Sequence, residues 1–442
     1  MIAEQMLECV EYSGDTPLIV GIEMGYGHMR PAHALACALN TGVLQADRPP
    51  LADAGECRLW SIARGVYEAA SRVSQVPVVG APLRGALNWL TRIPPLHPQR
   101  DLSRPTSSVR MLDWLGSLGL GRGMVSQLQQ SGGALLTTFF APAILAERAG
   151  CERVFCVVTD SDIARIWAPM DAHASRINYL APSTRVSQRL QAYGVPPDRI
   201  SVTGFPLPNE LLGGPDLSTL QRNLAARLIR LDPRNAFRSV CGKDVERTLG
   251  AVLRTGAAGE PVTVTFAIGG AGAQANVALQ LLKGFRASIE SGTIRLALVA
   301  GVRRDLARRL EAGVRSVGLE SELGAHVQIL QEDNLEAYFS SFNALLARTD
   351  VLWTKPSELT FFGALGIPIV FSAPVGVHER YNQRWAIENA AGLRQRNPEN
   401  AAEWIAEWLG DGTLAATAWA GYLRLPKRGL YSIIETIDPG VS

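Results

Sequence analysis

Apolar positions along this chain fall into short continuous runs separated by stretches with helical spacing, and the two alternate over most of its length. Leu18 to Ile22 is such a run. It stops at Gly25-Tyr26-Gly27-His28, after which Ala32, Leu35, Ala36 and Leu39 share one helical face. Runs at 134–139, 154–158, 177–181 and 200–204 predict further strands, with helices at 142–149 and at 183–193, the latter capped by Ser183. The alternation lapses over 209–258, which is arginine-rich and helical in pattern. It resumes with strands predicted at 262–270, 294–301, 327–331, 351–354 and 367–373 and helices between them. Strands alternating with helices on this scale predict parallel sheets. The expectation is an α/β chain of two doubly wound, Rossmann-like domains. The N-terminal domain is placed at 1–208, a connector with a helical insertion at 209–258 and the C-terminal domain at 259–415. A tail at 416–442 is expected to pack back on the first domain.

Composition narrows the class. A chain of 442 residues exceeds one ordinary core, and 47% hydrophobic with 19% charged residues is a globular balance. A net charge of +2 gives no footing for nucleic acid. Six scattered cysteines without a CxxC pair read as reduced thiols of a cytoplasmic protein, and no metal site is expected. No apolar run is long enough to span a membrane. Over 58–122, nine arginines stand against three acids, with Trp60, Trp89 and Trp114 interleaved. This stretch reads either as an anionic-membrane surface or as a solvated arginine face over a tryptophan core.

Candidate chemistry clusters after predicted strands, where α/β proteins bind their ligands. Gly25, Gly27 and His28 follow the first strand, and the bland alternative is a tight turn with an incidental histidine. Asp160, with Asp162, Arg165 and Trp167 close by, follows the 154–158 strand. An acid there could orient His28 or act as a base, or it could cap a helix or pair with Arg165. Gly269, Gly270 and Gly272 form a second glycine turn. Lys355 precedes a helix start at 357–360 that would suit a diphosphate. Glu379 and Asn382 lie on a polar loop after the 367–373 strand.

Four landmarks in order, GYGHMRPAHALA (25–36), VVTDSDIARIW (157–167), YLAPSTRVSQRLQAYGVPPDRISVTGFPL (179–207) and TKPSELTFFGALGIPIVF…GVHERYN (354–382), resemble the GT-B glycosyltransferases. The nearer resemblance is to the branch of monogalactosyldiacylglycerol synthases, diacylglycerol glucosyltransferases and the lipid-II-forming N-acetylglucosaminyltransferase. It implies two Rossmann-like domains facing across a cleft. It also implies metal-independent transfer of a sugar from a nucleotide-sugar, UDP-sugar first, to a hydroxyl acceptor, which in relatives is a lipid. The chain would then be cytoplasmic, peripheral on the inner membrane face through 58–122. By the same resemblance, His28 and Asp160 serve the acceptor. Gly269, Gly270, Gly272, Lys355, Ser357, Leu359 and Thr360 hold the diphosphate, and Glu379 and Asn382 meet the sugar.

Three positions depart from the family's pattern. Ser357-Glu358-Leu359 stands where relatives have a glycine-rich turn, which puts a carboxylate beside an anion site. Gly363 stands where relatives carry the glutamate that binds the ribose. Phe139 and Phe140 stand where relatives often have a histidine. These departures keep two other readings open: a non-catalytic relative that binds a partner, and a nucleotide-sugar 2-epimerase-like enzyme.

Overall fold

The computed structural model describes residues 16–73, 93–250, 259–269, 274–374 and 376–438. Trp89, Gly270 and Gly272, among the expected site and surface residues, lie outside them. The chain divides into two compact units. The first comprises Met1–Met24, Pro31–Gly204 and Ser432–Ser442; the second comprises Gly25–Arg30 and Phe205–Tyr431.

The first unit is a six-stranded parallel sheet in the order β2-β1-β3-β4-β5-β6. The strands are β1 (Leu18–Gly21), β2 (Val43–Gln45), β3 (Leu135–Thr137), β4 (Val154–Val157), β5 (Asn178–Ala181) and β6 (Ile200–Val202). Helices cover its strands, so β1, β3 and β4 are buried along their whole length and read as unbroken apolar runs. The edge strand β2 is only half-buried, and no apolar run announces it. Order reverses between β1 and β3, so the carboxyl ends of those strands border a topological switch point.

The second unit repeats the scheme in the order β12-β11-β10-β7-β8-β9, all parallel. Its strands are β7 (Val262–Ala267), β8 (Ile294–Gly301), β9 (Val327–Gln331), β10 (Val351–Thr354), β11 (Ile369–Phe371) and β12 (Gly392–Arg394). Here the switch point falls between β7 and β10. The arginine-rich stretch expected as a connector is counted in this unit, and its arginines tie it there. Arg227, on the helix Ser218–Arg230, is fully buried and donates to the carbonyls of Thr349 (2.7 Å), Leu365 (3.0 Å) and Gly366 (3.2 Å). Burial pushes its guanidinium down to about 10, which still leaves it charged at neutral pH. Arg230, one turn on, pairs with the buried Asp350 at 2.8 Å. Arg227 thereby braces both ends of the segment that carries Lys355, and Arg230 its first end.

Among the described residues, no helix is long and apolar enough to cross a membrane.

Candidate functional site

The glycine turn after β1 is shorter than its sequence suggests. Only Gly25 stands outside the helix, at φ +98°, a left-handed conformation that glycine alone adopts cheaply. The helix Tyr26–Ala38 begins at once, so Gly27 and His28 lie in its first turn. Pro31 sits inside this helix and cannot donate to the Gly27 carbonyl, which removes one bond from the ladder just where the two units divide.

Residues Gly25–Arg30 are part of the second unit, and what they meet there changes the reading of Glu358. Arg30 is 2% exposed. Its Nε donates to Glu358 Oε1 at 3.3 Å and its Nη2 to the Tyr338 hydroxyl at 3.1 Å. Its guanidinium lies over the rings of Phe342 (4.5 Å), Phe339 (4.9 Å) and Tyr338 (5.4 Å). The Glu358 side chain is itself only 5% exposed. A β-carbon on Gly27 would rest 3.4 Å from Glu358 Oε2, so the turn lies directly against the carboxylate. Glu358 is therefore not a loose negative charge repelling a diphosphate. It is the buried counter-ion of an arginine 328 residues away. Tyr26 adds to the anchorage: its hydroxyl accepts from the Val302 N–H at 3.3 Å, and its ring packs on Tyr338 with centroids 4.8 Å apart.

At the β7/β10 switch point, Lys355 lies across Gly269. A β-carbon at Gly269 would fall 2.5 Å from Lys355 Cε and 2.9 Å from Cδ, so only glycine leaves the lysine this path. Lys355 Nζ then pairs with Glu379 at 2.7 Å, with the two side chains 31% and 14% exposed. Asn382 is 1% exposed and its Nδ2 donates to the Pro356 carbonyl at 3.3 Å, so it braces the lysine-bearing loop from beneath. The segment after Ser357 is a 3-10 helix, Glu358–Leu365, buried at every position. Two amides at its start are already engaged: Ser357 N–H donates to the Lys355 carbonyl (2.8 Å) and Thr360 N–H to the Ser357 carbonyl (3.0 Å). Leu359 is buried. The Thr360 hydroxyl and the Ser372 hydroxyl, just past β11, are buried with no hydrogen-bond partner. Native folds rarely leave such groups unpaired, and a ligand is one way of satisfying them.

Gly363, where relatives have the ribose-binding glutamate, is closely packed. An added β-carbon would meet Ala391 Cβ at 3.1 Å and Leu425 Cδ1 at 3.2 Å. The helix Thr413–Arg424 packs tightly there, with Gly421 against the Gly363 carbonyl. This glycine is a packing residue.

In the first unit, Asp160 stands half-buried after β4. Its neighbours serve the fold. Asp162 is fully buried between Arg189 (2.7 Å) and Arg185 (2.9 Å). Arg165 pairs with neither acid; it donates to the carbonyls of Ser103, Ala168 and Pro169. Phe139 and Phe140 are both 4% exposed, their rings tilted against each other with centroids 4.1 Å apart and packed on Trp167. His28 and Asp160 stand in different units. Among the described residues, no cluster of histidine, cysteine or acids could hold a metal.

Trp60, expected on the arginine-rich surface, is a core residue at 5% exposure, whereas Trp114 is 57% exposed. Arg122 pairs with Asp53 at 2.7 Å. Arg58, Arg100, Arg104 and Arg110 are exposed.

A family model described only as a domain of unknown function (DUF6938) matches residues 318–432, from before β9 to beyond β12. No curated protein matches the chain in sequence. Among solved structures, a Listeria monocytogenes protein assigned as a UDP-N-acetylglucosamine 2-epimerase is similar at 11% identity, with 97% of this chain and 98% of that one covered and a TM-score of 0.51. Staphylococcus aureus MnaA, solved with UDP, is similar at 10% identity, with 96% of each chain covered and a TM-score of 0.50. Acinetobacter baumannii MurG is similar at 12% identity over 95% and 98% of the chains, with a TM-score of 0.49. With the two six-stranded parallel sheets, the fold is GT-B.

Proposed function

We propose that this protein binds a nucleotide-sugar in its second unit and transfers the sugar to a hydroxyl acceptor, without a metal. The observation that carries this reading is Lys355, laid over Gly269 at the switch point and paired with Glu379. A lysine stem on a bare glycine, at the carboxyl ends of two adjacent strands, makes a phosphate site of ordinary α/β type. The ammonium neutralises the leaving diphosphate. In this reading Gly269 and the start of the helix at Glu358 and Leu359 complete the phosphate site. The Thr360 hydroxyl offers the ligand a polar contact, Glu379 meets the sugar, and Asn382 holds the Pro356 carbonyl in place. The acceptor oxygen bonds to the anomeric carbon as the bond to the diphosphate breaks, and His28 takes the hydroxyl proton. UDP is the first nucleotide to test, since MnaA was solved with it and the Listeria protein is assigned to a UDP-sugar.

The acceptor is proposed to be amphiphilic, presented at an anionic membrane. Exposed Arg58, Arg100, Arg104 and Arg110 accompany exposed Ile62, Trp114 and Leu118 in the first unit. Flotation with anionic vesicles at low salt is the check, and absence of binding removes this part.

A binding module without catalysis is the second reading. Gly363 favours it, because the side chain that binds ribose in relatives is missing at a position closely packed by Ala391 and Leu425. Calorimetry with UDP, GDP, ADP and TDP, followed by their sugars, separates the readings when combined with a sugar-release assay. Lys355→Ala is expected to weaken nucleotide binding by about 10- to 100-fold, the loss of one charge-assisted hydrogen bond. Unchanged affinity in that variant would remove Lys355 from the site. Binding without sugar release or transfer to any hydroxyl acceptor would leave the module reading.

A further inference from the structure

The second sheet carries a further set of polar residues at the edge opposite Lys355. β8 lies between β7 and β9, and every position on it is buried except its second, Arg295. Burial is what an inner parallel strand requires; an exposed arginine there serves no packing purpose. The register pairs Arg295 with Thr263 on β7 and Leu296 with Val327, so His326, just before β9, stands beside Arg295. Two residues on, the same face pairs Ala297 with Gln328. These side chains floor a cavity of about 530 Å³ at the amino ends of the three strands. β7 is six residues long, so about 20 Å of strand separates this edge from the one that carries Lys355.

Guanidinium groups line this cavity from three elements. Arg348, just past the helix Leu335–Ala347, donates from Nη2 to Gln328 Oε1 at 3.0 Å, which holds it beside β9. Arg230 is already committed: it pairs with the buried Asp350 at 2.8 Å and lies 3.7 Å from Glu260. Glu260 is the one carboxylate among the described lining residues, and at 55% exposure its charge is screened by water. His326 is held through Nδ1 by Glu322 at 2.8 Å. Arg295 has neither an ion-pair nor a hydrogen-bond partner among the described residues, and the partner of Arg348 is a neutral amide. Two guanidinium charges therefore line the cavity without a carboxylate of their own. The planar fork of arginine suits oxyanions, and a phosphate monoester brings three acceptor oxygens and nearly two negative charges to such a pair. Pockets for small molecules commonly measure about 300–1,000 Å³, so there is room for more than the phosphoryl group. Pro261 and Leu345 add apolar wall for a carbon skeleton.

We infer that this cavity binds a small organic phosphate, with its phosphoryl group held by Arg295 and Arg348 and its carbon skeleton against Pro261 and Leu345. The site is independent of the nucleotide-sugar reading, which uses the opposite edge of the sheet.

The test is calorimetry of the full-length protein with glycerol 3-phosphate at about 0.15 M salt, where loose surface attraction is screened. Saturable one-to-one binding is expected. Arg295→Gln and Arg348→Gln are each expected to weaken it by about 10-fold, the loss of one charge-assisted contact, and the double variant to abolish it. Both positions are exposed, so these variants should keep the thermal unfolding of the wild type, measured on the same samples. Arg308→Gln, at an exposed position on another helix, and Lys355→Ala should bind glycerol 3-phosphate as the wild type does. No saturable binding by the wild type, undiminished binding by the double variant, or an equal loss in Arg308→Gln overturns the proposal. Loss of binding in Lys355→Ala overturns it as well, by moving the phosphate to the opposite edge. Equal affinity for succinate overturns the assignment to phosphate. UDP is titrated separately, and its failure to bind while glycerol 3-phosphate still binds removes the nucleotide reading alone.

Discussion

Arg30→Met is expected to lower the unfolding free energy by about 3–5 kcal/mol, the usual effect of stripping one partner from a buried ion pair. Methionine fills much of the arginine's volume among Tyr338, Phe339 and Phe342, so packing is largely kept. The loss is electrostatic: the Glu358 carboxylate, 5% exposed, is left without its counter-charge. Glu358→Gln should be costly for the converse reason, leaving the guanidinium buried among aromatic rings. The double variant Arg30→Met/Glu358→Gln is expected to recover a large part of the loss, because two uncharged side chains can share the space. Urea unfolding of the three variants measures this as a cycle. If Arg30→Met came within about 1 kcal/mol of the wild type, the pair would be an incidental contact, and the anchorage of the Gly25–Arg30 turn would have to lie elsewhere.

Gly363→Glu, which restores the residue that relatives use to bind ribose, is expected to damage this protein. Its β-carbon would press on Ala391 and Leu425 at 3.1 and 3.2 Å. The carboxylate would be buried with no partner in a segment where every position is buried. Overpacking of this kind costs about 1–3 kcal/mol, and an unpaired buried carboxylate adds several more. The expected result is a fall of about 4 kcal/mol or more in stability and no gain in UDP affinity. A stable Gly363→Glu protein with tighter UDP binding would instead identify the position as a vacated ribose site. Thermal unfolding and calorimetry on one preparation distinguish the outcomes. Gly363→Ala, a smaller insult at the same contact, should fall between the two proteins.

Much of the fold was legible because buried parallel strands leave a strong signal. β1, β3, β4 and β10 are covered on both faces, so each is a short, mainly apolar run that no helix period explains, and β7, Val-Thr-Val-Thr-Phe-Ala, is marked by its β-branched residues. The edge strands β2 (Val43–Gln45) and β12 (Gly392–Arg394) were not legible: each is three residues long and partly exposed, so neither shows a run nor a clean alternation. Around the site, the glycines and Lys355 were visible as residue types with few structural uses. The character of Glu358 was not. A glutamate at the head of a helix looks the same in sequence whether it faces solvent or a buried arginine, and Arg30 lies 328 residues away. Trp60 and Trp114 show the same blindness. Both interrupt an arginine-rich stretch, yet one lies in the core and the other in solvent.

By itself the sequence determined two series of strands and helices, hence two parallel sheets, and put its unusual residues after strand ends. Those are local properties, carried by periodicity over a few residues. Only the tertiary structure decided that Glu358 is neutralised, that Gly363 is closed in by Ala391 and Leu425, and that Lys355 crosses Gly269. Charge compensation and steric room depend on which distant side chains arrive within a few ångströms, and no local pattern encodes that.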